Sequence, residues 1–284
     1  MVGVNSLTNT ASNSALSLLA ANQPASSTTT GSGKSGQPSS VAATSSNTVS
    51  NATSAAITTL TAQPSIANTS DTSNESLAEI ATDASATLNA NLASMAAAGT
   101  PMDWTHATQA DWNTAFAGLD QTSLYAIASN AGGMSTSDEQ QAAYALMVQP
   151  LQQAMGLNDP ATFIADPAAG YAAGMKFMNS FSPEVQNSPW WQLNMASLQV
   201  GYQDTSTQEN PGETPANVGS SNPVVELLTN IIEQAQGTSF STLQGNGSFI
   251  TNLTSIPLFA QHSAELEQAT AQLNAQNSAN GTTV

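Results

Sequence analysis

Between residues 72 and 276 apolar side chains recur at spacings of three and four, the period of amphipathic helices. Leu77, Ile80, Ala84, Leu88, Leu92 and Met95 make one stripe, opened by the capping-box pair Thr72 and Glu75. Trp112, Phe116 and Leu119 start a second behind Thr108. After Ser137, Tyr144, Met147, Val148, Leu151 and Met155 share a face that stops at Gly156, and Pro150 is expected to kink or split that helix. Trp191, Met195, Leu198 and Tyr202 follow Ser188. Leu227, Leu228, Ile231, Ile232 and Ala235 follow Asn222 and end at Gly237. Phe259, His262, Leu266, Ala269 and Leu273 form the last stripe.

The punctuation agrees with these stripes. Asp159-Pro160, Asp166-Pro167, Ser182-Pro183, Ser188-Pro189 and Asn222-Pro223 each place a capping side chain before a proline. The cap oxygen accepts an orphan N–H, and proline at the first helical position has no N–H to leave unpaired. The pattern predicts an all-α fold, an irregular bundle of about seven to nine short helices. The segment 240–253 (FSTLQGNGSFITNL) also reads as a small hairpin turning at Asn246-Gly247. The polar run 203–220, with Pro211, Gly212 and Pro215, reads as a long loop. The expected organisation is a main helical domain over 72–202, that loop, C-terminal helices over 221–276 packing on the main domain, and a flexible tail over 277–284.

Residues 1–70 have a different character. They hold no Asp, Glu or aromatic residue and one Lys, and are mostly Ser, Thr, Ala and Asn. Little apolar surface is available to offset backbone ordering at about 1–2 kcal/mol per residue, so this arm is expected to be disordered. Its one helical candidate, residues 15–21 (ALSLLAA), is too short to be stable alone. All the aromatics lie between Trp104 and Phe259, which places the core there.

Charge narrows the function. The 284 residues carry 19 Asp+Glu against 2 Lys+Arg, a net charge of −17; the two cations are Lys34 and Lys176. Such a chain lacks the basic patch that nucleic acids and anionic membranes require. With zero Cys there is no disulfide, thiolate nucleophile or Cys-ligated metal. No apolar run is long enough to span a bilayer as a helix.

The chemical signals are few. Residues 31–36 (GSGKSG) look like the end of a phosphate-binding loop, but the glycine required five positions before Gly33 is Thr28, so the run reads as linker. His106 and His262 are the only imidazoles, and no convergent partner set accompanies either. No calcium-loop pattern organises the acids. Catalysis would therefore fall to carboxylates. Asp103 and Asp111, eight positions apart and each followed by Trp, are the candidate pair for a glycosidase-like site, since an apolar neighbour can raise a carboxyl pKa. The simpler reading of both is a charged helix start followed by a core anchor. Trp104 and Trp190 are the aromatics expected on an interaction surface, because adjacent Trp190 and Trp191 cannot both face one core. No cofactor and no metal is expected, and the expected partner is a protein or a second copy of the chain.

The opening MVGVNSLTNTASNSALSLLAANQ resembles the Ser/Thr/Asn-rich N-termini of bacterial flagellar and other type III-exported proteins. The resemblance covers about 25 residues and implies an exported structural or assembly factor. The coiled-coil termini of flagellar filament subunits are not matched, because Ser, Thr and Gly interrupt residues 24–60, which argues against a filament subunit. The acidic, Cys-free composition and the small, hydroxylated end NSANGTTV look like a type I secretion substrate. Residues 1–14 carry no basic side chain, so export is expected without a classical cleaved signal peptide, to the cell surface or beyond. The resulting expectation is an exported bacterial structural or interaction protein that is not an enzyme; the alternative is a secreted carbohydrate-active enzyme or sugar-binding module.

Overall fold

A computed structural model of the protein describes residues 75–158, 165–209, 219–235 and 249–279. The N-terminal arm, the 31–36 run, Asp159-Pro160, Gly237, most of the 240–253 hairpin candidate and the last five residues lie outside the described residues. Among those described the fold is all-α, with ten α-helical segments and no strand. In chain order they are α1 (Leu77–Ala97), α2 (Gln109–Ala115), α3 (Gln121–Ala128), α4 (Ser137–Ala154), α5 (Pro167–Met178), α6 (Pro183–Gln186), α7 (Pro189–Glu209), α8 (Pro223–Gln234), α9 (Pro257–Ala260) and α10 (Ser263–Ala279). A 3-10 turn, Leu253–Ser255, precedes α9. Two of the ten, α6 and α9, are single turns.

Side-chain caps set where the helices begin. Thr108 with Asp111 closes a capping box on α2, and Thr136 with Glu139 closes one on α4. On α1 the box is Ser76 with Glu79, so the helix opens at Leu77, one turn after the expected Thr72/Glu75 start. The sequence repeats the same hydroxyl-x-x-Glu pattern four residues apart, and the later copy abuts the apolar stripe. Of the five cap-proline pairs named above, each of the four described opens a helix. Asp166 accepts from the Ala169 N–H at 2.9 Å, Ser188 from that of Trp191 at 3.2 Å, and Asn222 from that of Val224 at 2.9 Å. After α4, Gly156 takes φ +76° and donates to Gln153 O while Leu157 donates to Gln152 O, the double bond of a left-handed C-terminal stop.

Three expectations need correction. The helix α4 is not split at Pro150 but runs through it to Ala154. The loop expected from residue 203 begins later, because α7 extends to Glu209. Polarity alone suggested a loop there, yet Thr205 is buried and its hydroxyl donates to Gly201 O at 2.8 Å, so the helix continues from a packed segment into a polar one. Likewise α10 includes 277–279, assigned above to the tail; Asn277 donates to Asn187 Oδ1 at 3.0 Å, which ties that turn back to the end of α6.

The principal pairings run in chain order: α1 on α3, α3 on α4, α4 on α5, α5 on α7, α7 on α8 and α8 on α10. One apolar cluster links them, from Ala84 on α1 to Leu273 on α10. The helix α7 lies at its centre, with Trp190, Trp191, Leu193, Met195, Ala196, Leu198 and Val200 all buried. Its approach to α5 is close: a Cβ at Gly201 would stand 2.4 Å from the buried Tyr171 ring, and one at Gly174 on α5 3.2 Å from Leu198 on α7.

Candidate functional site

The carboxylates singled out from the sequence hold local structure. Asp103 Oδ1 accepts the Thr105 N–H at 3.1 Å, and Oδ2 lies 2.9 Å from His106 Nδ1. Both side chains of this pair are largely exposed, and the His106 hydrogen bond holds the Asp103 carboxyl below its ordinary range. Asp111 accepts from the Thr108 N–H at 2.8 Å and from the Thr108 hydroxyl at 2.7 Å, and those bonds pull its carboxyl down as well. A glycosidase acid needs a carboxyl pushed up so that it carries a proton near neutrality. Both Asp103 and Asp111 move the other way. His262 lies 3.6 Å from Glu265 at the start of α10. Among the described residues no cluster of three or more His, Asp and Glu side chains could hold a metal ion.

Trp190 corrects the expectation of an exposed platform. It is 2% exposed and Trp191 is 0% exposed. Trp191 Nε1 donates to Met178 O at 2.7 Å. The Trp190 ring stacks on Phe249 at 6.1 Å and contacts Tyr125 at 5.9 Å and Phe181 at 5.7 Å. The rule that neighbouring aromatics cannot share a core assumes a helix buried on one side. Because α7 is enclosed from several directions, both are covered. Trp104 is half-buried, its ring edge-on to Phe116 at 6.4 Å, so only part of it faces solvent.

A different constellation stands out between α7 and α8. A cleft of about 240 Å³ is walled by Gln199 and Gln203 of α7 and by Val225 and Thr229 of α8. Ser220, Glu226 and Asn230 complete it, the last two exposed. Gln199 is 4% exposed and Thr229 7%. Both amide atoms of Gln199, Gln203 Oε1 and Thr229 Oγ1 are shut off from solvent and have no hydrogen-bond partner. A buried polar group left unpaired costs about 1–3 kcal/mol, and four such atoms in one place are unusual in a native protein.

Carboxyls nearby share this interface. Asp204, next to Gln203, is pushed up by burial. Glu233 on α8 is pushed up by burial and then by the Asp204 charge. The same charge adds to burial in raising the Tyr171 hydroxyl.

The apolar stripes do not disclose this cleft. Its one local signal is Thr229 inside the run LLTNII, a hydroxyl where the helix face is otherwise aliphatic. Gln199, between Leu198 and Val200, gives no signal until α7 is known to be enclosed. Compared with protein-family models, curated proteins and solved structures, the chain matches none.

Proposed function

We propose that the chain is an exported bacterial protein that works without catalysis, as a structural or interaction partner of another protein or of itself. The observation that carries this reading is the use made of the acids. Glu79, Asp111 and Glu139 close capping boxes, Asp120 and Asp166 cap helices through their side chains, and Asp103 ties a turn. Negative charge at helix N-termini also complements the helix dipole. The acids thus stabilise helices and give the surface one sign of charge, which keeps it soluble, while the presence of only 2 Lys+Arg leaves almost no cleavage sites for proteases that cut after basic residues.

The Ser/Thr/Asn-rich N-terminal segment supports an address read without cleavage, through a flagellar or other type III route; the acidic composition supports a type I route as the other candidate. The bonds that Asp103 and Asp111 accept within their own turns, which pull both carboxyls down, count against the glycosidase alternative. Fractionation of cells expressing the gene from its native promoter tests the proposal. Protein on the cell surface or in the medium is expected, and a strictly cytoplasmic protein contradicts it.

A further inference from the structure

We infer that the cleft between α7 and α8 binds a small neutral ligand bearing adjacent hydroxyl groups, a polyol or monosaccharide, held chiefly by Gln199, Gln203 and Thr229. The inference concerns the folded domain alone and is independent of where the protein is delivered.

The donor and acceptor set decides the chemistry. Gln199 presents an unpaired N–H2 and an unpaired carbonyl, Gln203 an unpaired carbonyl, and Thr229 a hydroxyl that both gives and accepts. An anion finds no Lys, Arg or His among the lining residues and meets Glu226 at the rim. An ammonium ion would satisfy the carbonyls but would face the Gln199 N–H2, donor against donor. An apolar ligand would find only Val225 and would leave every polar atom unpaired. A hydroxyl accepts from the amide nitrogen and donates to an amide oxygen, so two neighbouring hydroxyls pair all four atoms. Further hydroxyls on the same ligand reach Glu226, Ser220 and Asn230.

In the ligand-free arrangement the four atoms lie behind the cleft surface that their own residues form. Rotation about the terminal torsion of a glutamine is soft and turns its oxygen and nitrogen about the Cγ–Cδ bond, so that either can aim at an entering hydroxyl. Entry of the ligand and turning of Gln199 and Gln203 are therefore one event, and the pairing of buried groups favours it. Water is the competing occupant, since a roomy polar cavity commonly holds ordered water.

The test uses the full chain with D-glucose and myo-inositol as probes, and methylammonium, sulfate and acetamide as contrasts. Sugars raise the melting temperature of any protein by exclusion from its surface, so the readout is saturable binding by ligand-observed NMR and calorimetry. A dissociation constant on the order of millimolar is expected for a ligand of this size. Gln199→Leu and Thr229→Val should each weaken binding at least about tenfold while leaving the melting temperature unchanged or higher, because each removes unpaired buried polar atoms. A purely structural glutamine would instead lower it. If Gln199→Leu fails to fold, Thr229→Val decides. No saturable signal from either probe, meaning water alone in the cleft, overturns the inference. So does binding indifferent to both substitutions, or a preference for methylammonium or acetamide over the two probes.

Discussion

Trp190 and Trp191 occupy the first turn of α7, and their energetic weight follows from what encloses them. Both are buried, and Trp190 sits among Tyr125, Phe181 and Phe249. Trp→Ala at either position should cost about 3–5 kcal/mol in urea unfolding followed by circular dichroism. A near-neutral Trp190→Ala would mean that this ring faces solvent after all. Gly201 makes a smaller but sharper test. Its missing Cβ leaves room for the Tyr171 ring, 2.4 Å from where that atom would stand. Gly201→Ala should therefore destabilise by about 1–3 kcal/mol as an overpacked contact, against the usual gain of alanine over glycine inside a helix.

The titrating residues set opposing pH limbs. Asp204 and Glu233 have folded-state pKa values above their unfolded ones. Their contribution is fully present below the ordinary carboxylate range and is lost as pH rises through the folded values. Glu79, Asp103 and Asp111 are depressed, so theirs is present above that range and lost as pH falls through their folded values. Stability should peak on the acid side of neutrality, and Asp204→Asn should raise the melting temperature at pH 7 while flattening the decline toward neutral pH. A variant less stable than the parent at pH 7 would contradict this assignment.

Among the helices, caps explain most of the starts. Asp120 accepts the Ser123 N–H at 2.8 Å, and Asp120→Ala should cost about 1 kcal/mol. Ser182 precedes Pro183 in the same sequence pattern but makes no cap bond, and its buried hydroxyl is unpaired. Ser182→Ala should be neutral or stabilising, and the two variants compared by chemical denaturation separate capping from mere pattern. Helix starts at Thr108, Asp166 and Asn222 are legible in the sequence because a cap and its N–H lie within three residues, whereas α4 is capped by Thr136, one residue before the expected Ser137. The stripe through Ile80, Ala84 and Leu88 is legible for the same local reason. What depends on distant segments is not. The helical turn from 203 to 209 is held by packing at Thr205, and Trp190 is covered by Phe249 from far along the chain. The α7/α8 cleft is not legible because its buried unpaired atoms belong to glutamine and threonine, residues that sequence patterns treat as surface.

At the scale of the molecule, the chain-order pairing of helices keeps most tertiary contacts between segments that follow one another. Contacts of that kind need little loop closure, so the helical domain should fold quickly for its size. Every described core residue lies between Ile80 and Leu273. Residues 1–70 hold no aromatic residue and no acid, and on the reading proposed above they carry the export address. Their removal should leave the melting temperature nearly unchanged, since truncation matters where buried contacts are lost. The most direct measurement is the culture supernatant of cells producing the chain without residues 1–70, beside cells producing the full chain. The full chain should reach the medium, and the shortened one, folded as before, should stay inside. Undiminished secretion of the shortened chain would contradict it and move the address to the C-terminal residues.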